Sequence, residues 1–355
     1  MKISGYLTKD QSNIIKGVAI LLIIFHNYFH IIPPAPGENE FYFSALHFER
    51  FKQLILAEPF SLIRHLLAYF GHYGVQLFIF ISGYGLAISN KNKKISYPDF
   101  ILNRMKKLYP SLLIVVISLM VVIPLYEGGV NPATYNSLLL KLTLAHNFIP
   151  GEALSVTGPF WFFSLIVQLY VLFPFLMGML NKFGPVSLLI TGGIFLSLTM
   201  VFNRYLIPHD LNLNFLFIGH LPIFCLGIYF ASRPFIKLSP LLIISAIVIF
   251  ILANEYAFLW YFSFLSFTIF MLALFIHLFK ILPHLHKIQR FLIYSGTISL
   301  YLFAVHGIAR FPFEMVSEKY DQSIITTLLS VVYLGGTFLL AYLVRKADEK
   351  IQKAI

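Results

Sequence analysis

A histidine, His26, lies deep within the first long apolar run of the chain. His26 is 12 residues into the predicted span Ile14–Ile32, which places it about 18 Å from the start of that helix. Ionisable residues inside a span are costly, and they usually face a cavity or a partner. Because a neutral imidazole accepts a proton near pH 7, His26 suits the work of a general base. The alternative is a histidine that only packs through a hydrogen bond to a neighbouring helix.

A cationic residue, Lys16, precedes His26 by ten residues. Ten helical steps rise about 15 Å and leave the two side chains about 80° apart around the helix. The two side chains therefore cannot touch, and if both are functional they hold opposite ends of one long ligand. Lys16 is equally explained as an anchor that sets topology by extending its ammonium to the membrane surface.

Two other histidines are candidates. His30 lies one turn beyond His26, and this HxxxH spacing puts both side chains on the same helix face. No third ligand is evident near the pair, so no metal site is predicted. His306 lies near the outer end of a late span, where it serves either interfacial packing or acceptor binding.

The elements that position these residues follow from the composition. Of 355 residues, 58% are apolar and only 12% are charged, whereas soluble domains carry roughly 25% charged residues. The mean hydropathy is +0.80. These values exclude a soluble enzyme, a disordered chain and a coiled coil, and they predict an all-α polytopic integral membrane protein. The single cysteine, Cys225, excludes a disulfide within the chain and a cysteine-based metal site.

Ten apolar runs approach the length of about 20 residues that a spanning helix needs. They predict one transmembrane domain over residues 1–355, and the first span is expected to stay uncleaved because no cleavage site follows it. The ten predicted spans are Ile14–Ile32, Leu67–Ser89, Ser111–Tyr126, Phe160–Leu180, Pro185–Phe202, Leu213–Ala231, Leu238–Asn254, Ala257–Phe279, Leu292–Ala309 and Ile324–Val344.

Charge asymmetry predicts the orientation. With the N-terminus in the cytoplasm, 19 of the 26 Lys and Arg residues fall in inside segments, and 11 of the 15 acidic residues fall outside. The net charge of +11 is thus explained by topology rather than by a nucleic-acid partner. Both termini and the basic loop Asn90–Pro110 are predicted to be cytoplasmic. The long loops Pro33–Leu66 and Glu127–Pro159 are predicted to be external.

Five short polar patterns occur in order along the chain. They are Lys16 and His26 ten residues apart; Gly74–Phe78 with Ser82 and Gly83; the basic segment Asn103–Pro110; Trp161 with Ser164, Gln168, Tyr170 and Pro174; and Ser299 with His306. In this combination the chain resembles the type 3 membrane acyltransferases (acyltransferase 3), which include O-acetyltransferases of bacterial envelopes. Many members carry acidic residues where this chain has Ile166 and Val167, and it is more similar to the shorter, membrane-only branch.

The resemblance implies acyl transfer from cytoplasmic acyl-CoA to a hydroxyl group. The expected reaction moves an acetyl group to a cell-envelope or exported polysaccharide, or to its lipid-linked precursor. Acetyl-CoA is then a donor substrate, with no permanently bound cofactor and no metal. The expected partners are the glycan and membrane lipids, in the inner (cytoplasmic) membrane. The alternative is a transporter or glycan exporter without covalent chemistry, since polar residues and proline breaks within spans suit both.

Each matching position takes a role from this resemblance. His26 is the expected catalytic base, and Lys16, Arg104 and Lys107 are the expected acyl-CoA-binding cations, because cations suit its phosphates. A developing oxyanion and an acceptor need polar contacts as well. The expected residues for these contacts are Asn27, Ser82, Trp161, Gln168 and His306.

Overall fold

The structure, a computed structural model, describes residues 2–4, 6–91, 93–320 and 323–353. Over these residues the chain forms fifteen α-helices and two short antiparallel strands that pair Lys2 with Lys237. The elements are β1 (Lys2–Ser4), α1 (Lys9–Phe29), α2 (Ala45–Ala57), α3 (Leu62–Phe70), α4 (Gly74–Ser89), α5 (Tyr97–Glu127), α6 (Pro132–Leu142), α7 (Trp161–Phe183), α8 (Val186–Leu206), α9 (Phe217–Ala231), β2 (Phe235–Lys237), α10 (Pro240–Leu252), α11 (Ala257–Trp260), α12 (Ser263–Ile281), α13 (His286–Thr297), α14 (Ser299–Tyr320) and α15 (Ser323–Gln352).

Short 3₁₀ turns connect several of these helices, and one of them, Gly71–Tyr73, joins α3 to α4 beside the candidate site. The other 3₁₀ turns are Pro59–Ser61, His146–Phe148, Gly158–Phe160, Ile207–His209, Leu213–Phe215 and Leu282–His284.

The helices are those of a multi-pass membrane protein, so the all-α, polytopic prediction is confirmed. Seven helical segments in the described part of the chain are long and apolar enough to cross a membrane. The pair α13 and α14, bent by 82° at its break, makes an eighth if it is one span. The two remaining predicted spans are the shorter apolar helices α9 and α10. By length and composition the count is therefore seven to eight rather than ten.

The first helix begins earlier than the predicted span. The Thr8 hydroxyl accepts a hydrogen bond from the Gln11 amide, and the Gln11 side chain accepts one from the Thr8 amide. This capping box fixes the start of α1 at Lys9. The helix ends at Phe29, before the predicted end at Ile32, and irregular chain follows, so His26 lies in its last turn.

α1 packs against α13, α4, α3 and α14. Its contact with α13 is close enough to require glycine. A Cβ atom at Gly17 would lie 2.2 Å from the Leu292 carbonyl oxygen, and one at Gly296 would lie 1.9 Å from that of Asn13. This contact places the turn that carries Lys16 against the α13–α14 bend.

The irregular segment 30–44 is folded back over the end of α1 by hydrogen bonds from distant elements. The Arg64 guanidinium donates to the carbonyl oxygens of Ile32 and Pro33, at 3.0 and 2.7 Å. The Trp260 indole donates to the Asn39 carbonyl oxygen at 2.6 Å. These bonds hold the acidic residues of this segment beside the last turn of α1.

Candidate active site

His26 lies in a cluster of three histidines at the end of α1. Its side chain is 3% exposed, and its ring stacks on that of His30 with 4.6 Å between centroids. The His72 ring meets it edge-on at 5.4 Å. The Nδ1 atom of His26 lies 2.9 Å from the Ala68 carbonyl oxygen. Since a carbonyl only accepts, Nδ1 carries the proton and Nε2 keeps its lone pair.

The turn Gly71–Tyr73 approaches His26 through a glycine. A Cβ atom at Gly71 would lie 2.6 Å from the His26 Cβ atom and 2.7 Å from the Leu22 carbonyl oxygen. Real Cβ contacts are longer than this, so the absence of a side chain at Gly71 lets the turn seat directly against α1. Because Ala68 lies one turn earlier, the same close approach brings its carbonyl oxygen to His26.

Two carboxyl groups of segment 30–44 complete the cluster. The Glu40 Oε2 atom lies 3.9 Å from the His26 Nε2 atom, and the Glu40 side chain is 14% exposed. Burial raises the pKa of Glu40 well above its usual range, with a smaller contribution from the charge of Glu38. Burial also raises the pKa of Glu38 to about 7. Burial therefore favours the uncharged form of Glu40 in its contact with the His26 imidazole.

Asn27, a predicted acceptor-binding residue, follows His26 in α1, and its side chain forms a hydrogen bond within that helix. The Asn27 side-chain amide donates to the Ile23 backbone carbonyl oxygen at 3.0 Å, and the Asn27 backbone carbonyl oxygen accepts from Arg310 Nη1 at 3.1 Å. Arg310 thus ties α14 to the turn of α1 that carries His26.

The three predicted acyl-CoA-binding cations line one cavity of about 230 Å³, which meets α1 about two turns from the start of the helix. Lys16 comes from α1, and Arg104 and Lys107 come from α5. The polar lining also includes Ser82, Tyr170 and Ser299, and the apolar lining consists of Phe78, Leu108, Phe162, Phe163, Ile166, Leu300 and Phe303. Ile166 stands where many acyltransferase 3 sequences carry an acid, and here it forms part of the apolar wall.

His306 lies one turn beyond the apolar end of this cavity. The Phe303 ring, which lines the cavity, lies 4.9 Å from the Phe162 ring and 5.2 Å from the His306 ring. His306 is fully buried, and its Nδ1 atom donates to the Phe303 carbonyl oxygen at 2.6 Å. Its Nε2 atom has no hydrogen-bond partner among the described residues.

Trp161 and Gln168 lie outside the cavity lining. The Trp161 ring packs on Phe41, the neighbour of Glu40, at 5.3 Å and on His220 at 5.4 Å. Gln168 donates to the Ser164 hydroxyl at 3.2 Å and accepts from the Phe217 amide at 3.0 Å. Gln168 therefore caps the start of α9, and Trp161 supports the segment that carries Glu40.

Sequence reasoning missed the carboxyl groups of the site. From the sequence, Glu38 and Glu40 counted only among the acidic residues of the external loops, whereas most cations fall in cytoplasmic segments. The signal that was available is their position, two closely spaced acids in a proline-rich segment directly after the helix that carries the histidines. The fold also gives the His26–His30 pair a third neighbour that the sequence alone did not reveal. One ligand atom from each of His26, His30 and Glu38 lie within 4.8 Å of one another.

A known protein family matches this chain. A family model described as an acyltransferase domain matches residues 10–346, which is nearly the whole chain. No curated protein and no solved structure matches the chain. The matched range contains both the histidine cluster and the cation-lined cavity. The chain therefore belongs to the acyltransferase 3 family of membrane acyltransferases.

Proposed function

We propose that this protein is an integral-membrane O-acyltransferase that uses acetyl-CoA as its donor. The acceptor is a hydroxyl group of a cell-envelope or exported polysaccharide, or of its lipid-linked precursor. One observation carries the proposal: α1 presents Lys16, about two turns from its start, to a cation-lined cavity and His26, in its last turn, to a buried histidine–carboxyl cluster. A long donor and a separate acceptor need such a two-ended arrangement.

The cavity suits the donor because it combines cations with a narrow apolar interior. Lys16, Arg104 and Lys107 are available to the phosphates of CoA, which charge-assisted hydrogen bonds recognise. The aromatic wall beyond them suits the thin pantetheine arm and the short acyl group. Lys16 and His26 are separated by about 15 Å along α1, and an extended pantetheine chain covers a distance of that order.

The histidine cluster suits the acceptor. His26 keeps the lone pair of Nε2 on the side that faces Glu40, because its Nδ1–H is held by Ala68. The 3.9 Å between Nε2 and Oε2 exceeds a hydrogen bond. A hydroxyl oxygen placed about 2.8 Å from both atoms fits between them. Glu40 is thereby assigned the role of positioning the acceptor hydroxyl against the base.

The chemistry that follows needs one proton acceptor. The acceptor oxygen attacks the thioester carbonyl carbon while His26 Nε2 takes the hydroxyl proton. Collapse of the tetrahedral intermediate breaks the carbon–sulfur bond and forms the ester. The CoA thiolate leaves and takes the proton back from His26, which restores the neutral imidazole.

The proposal includes a location. With the cation cavity on the cytoplasmic side, the donor enters from the compartment that holds acetyl-CoA. Both termini are then cytoplasmic, in the inner membrane, and the histidine cluster faces the outer side, where envelope glycans and their lipid-linked precursors are found. The positive-inside distribution of the basic residues supports this orientation.

The test uses purified protein in proteoliposomes with acetyl-CoA labelled in the acetyl group and an envelope glycan fraction. Alkali-labile label on the glycan is the expected result, and it should be absent with the matched His26→Gln protein. If no glycan is labelled and glycan flux across the vesicles is measurable, the protein is a glycan exporter and not an acyltransferase acting on that glycan.

A further inference from the structure

His30 and Glu38 have no role in the proposed reaction, yet they are placed around the same histidine. One ligand atom from each of His26, His30 and Glu38 lie within 4.8 Å of one another. The two imidazoles come from adjacent turns of α1, and their rings are stacked with only 12° between the planes. The carboxyl comes from segment 30–44, which folds back over the helix end. Two imidazoles and a carboxylate are a common ligand set for a divalent transition-metal cation.

Both imidazoles bond through Nδ1 to a backbone carbonyl oxygen, as metal-binding histidines usually do. His26 Nδ1 bonds to the Ala68 carbonyl oxygen at 2.9 Å, and His30 Nδ1 bonds to the His26 carbonyl oxygen at 2.8 Å. A metal-binding histidine usually donates its other ring N–H to a carbonyl or carboxylate, which fixes the tautomer and the ring orientation. Here both Nδ1 atoms are committed to backbone carbonyls, so both Nε2 lone pairs remain for a cation.

The size of the cluster fits Zn²⁺. Ligand atoms about 2.1 Å from a tetrahedral Zn²⁺ are about 3.4 Å apart. The ligand atoms here lie within 4.8 Å of one another, so a bound cation would draw the Glu38 side chain, which lies on irregular chain, closer to the imidazoles. The Glu40 carboxyl, 3.9 Å from His26 Nε2, is near enough to supply a fourth ligand. His30 and Glu38 are only partly buried, so the cluster is reachable from this end of the molecule.

We propose that His26, His30 and Glu38 bind one divalent transition-metal cation of the Zn²⁺ class. The bound cation occupies the Nε2 lone pair of His26. It therefore excludes acyl transfer, which needs that lone pair for the acceptor proton. The site itself is independent of the reaction, and only the inhibition rests on the proposed function.

The binding experiment does not depend on activity. Protein stripped with EDTA and kept in detergent is titrated with ZnCl₂ in a calorimeter at pH 7. One Zn²⁺ per chain is expected, with affinity at least about 10-fold weaker in His30→Gln and in Glu38→Gln, since even outer-shell partners account for about 10–100-fold. The matched control is His209→Gln, an exposed histidine of the 3₁₀ turn Ile207–His209, which should bind as the wild type does. Mg²⁺ should not compete, because it prefers oxygen ligands.

The inhibition experiment compares each protein with its own metal-free rate. Zn²⁺ should inhibit labelled acetyl transfer by the wild type and by His209→Gln, whereas His30→Gln should need at least 10-fold more Zn²⁺. Circular dichroism and thermal melting confirm that each variant is folded. Zn²⁺ affinity that is unchanged in both folded cluster variants would overturn the site. Transfer that continues with the cluster saturated would overturn the inhibition. Zn²⁺ binding as expected in a wild type without any transfer would support the site and count against the proposed function instead.

Discussion

The Glu40 carboxyl faces the His26 imidazole across 3.9 Å, on the side opposite the bond from His26 Nδ1 to Ala68. In a hydrolase triad the carboxylate orients the base through the nitrogen that does not react. Here a backbone carbonyl holds that nitrogen, and the carboxyl lies where we propose that the acceptor hydroxyl binds. The proposed function gives the two residues different roles, His26 as the base and Glu40 as the group that positions the acceptor, so their variants should behave differently.

We expect His26→Gln to abolish most acyl transfer while the protein still inserts and still binds acyl-CoA. Gln retains polarity and much of the size of His, but it cannot take a proton in the working pH range. A general base contributes about 10²–10⁴-fold to the rate, so a loss of that size is expected in kcat. Single-turnover transfer and equilibrium acyl-CoA binding measure the two effects separately.

His306→Gln is the control for this prediction. His306 is also buried, but it lies beside the cavity wall and not beside Glu40. A smaller loss is expected, mainly in acceptor use. Near-normal transfer by well-folded His26→Gln would remove His26 from the mechanism.

Glu40 should act through the acceptor. Glu40→Ala should raise the KM for the acceptor, whereas Glu40→Gln should do so less, because the amide retains hydrogen-bonding groups at the same distance. In the His26→Gln background, Glu40→Ala should cost less than it does alone, since a positioned hydroxyl gains little without its base. Steady-state kinetics of the wild type, His26→Gln, Glu40→Ala and the double variant measure this coupling. Strictly additive losses would show that the two side chains act separately.

The sequence predicted the parts of the structure that depend on local pattern. Apolar runs located the helices, and the family resemblance selected Lys16, Arg104 and Lys107, which the fold brings to one cavity. It did not predict that Glu40 would meet His26. That contact depends on segment 30–44 folding back, and the bonds that hold the segment come from Arg64 and from Trp260, more than 200 residues away.

The position of His26 along α1 also could not be predicted from the local pattern. A hydropathy run marks where a helix is apolar, and the predicted span accordingly began at Ile14. The helix itself begins at Lys9, where the Thr8–Gln11 capping box supplies its first hydrogen bonds. Polar residues that cap or extend a helix do not show in a hydropathy run, so the predicted start was too late. The predicted end at Ile32 was also wrong, because the helix ends at Phe29, and this earlier end puts His26 in the last turn. The two short helices, α9 and α10, were likewise predicted from hydropathy as full spans.

The cavity cations should affect the donor rather than the acceptor. Lys16→Ala and Arg104→Ala should each raise the KM for acetyl-CoA more than they lower kcat, because groups that hold phosphates contribute mainly to binding. Lys16→Arg should be the mildest change, since it keeps the charge. Lys182→Ala is the matched control, because Lys182 is an exposed cation that does not line the cavity. Unchanged acetyl-CoA affinity in the double variant Lys16→Ala/Arg104→Ala would show that these cations only set the membrane topology.

The orientation can be measured by cysteine labelling from each side of the membrane. Asn39 is a poor reporter for the first loop because it is 1% exposed and bonded to Tyr69, and Asn92 lies outside the described residues. Glu49, whose side chain is 51% exposed, and the exposed Lys182 are better positions. The native Cys225 is buried and should not react. Glu49→Cys should label from outside and Lys182→Cys from the cytoplasm, whereas labelling of both from one side would contradict the predicted topology.

Gly71 sets the placement of His26 rather than its chemistry. Gly71 has a φ of −66°, which any residue adopts, so only the space beside α1 requires glycine there. Alanine would put a Cβ atom 2.6 Å from that of His26, and either the turn or the histidine must move. Because a displacement of about 1 Å can cost about 100-fold in rate, Gly71→Ala should lower acyl transfer by about 10–100-fold with every chemical group intact. Gly85→Ala is the matched control, since a Cβ atom on that residue of α4 has no atom within 4 Å. Transfer rates and melting temperatures of the two variants distinguish a displaced His26 side chain from a destabilised fold. If Gly71→Ala transfers acetyl as fast as Gly85→Ala does, the position of the His26 imidazole is not critical to the reaction.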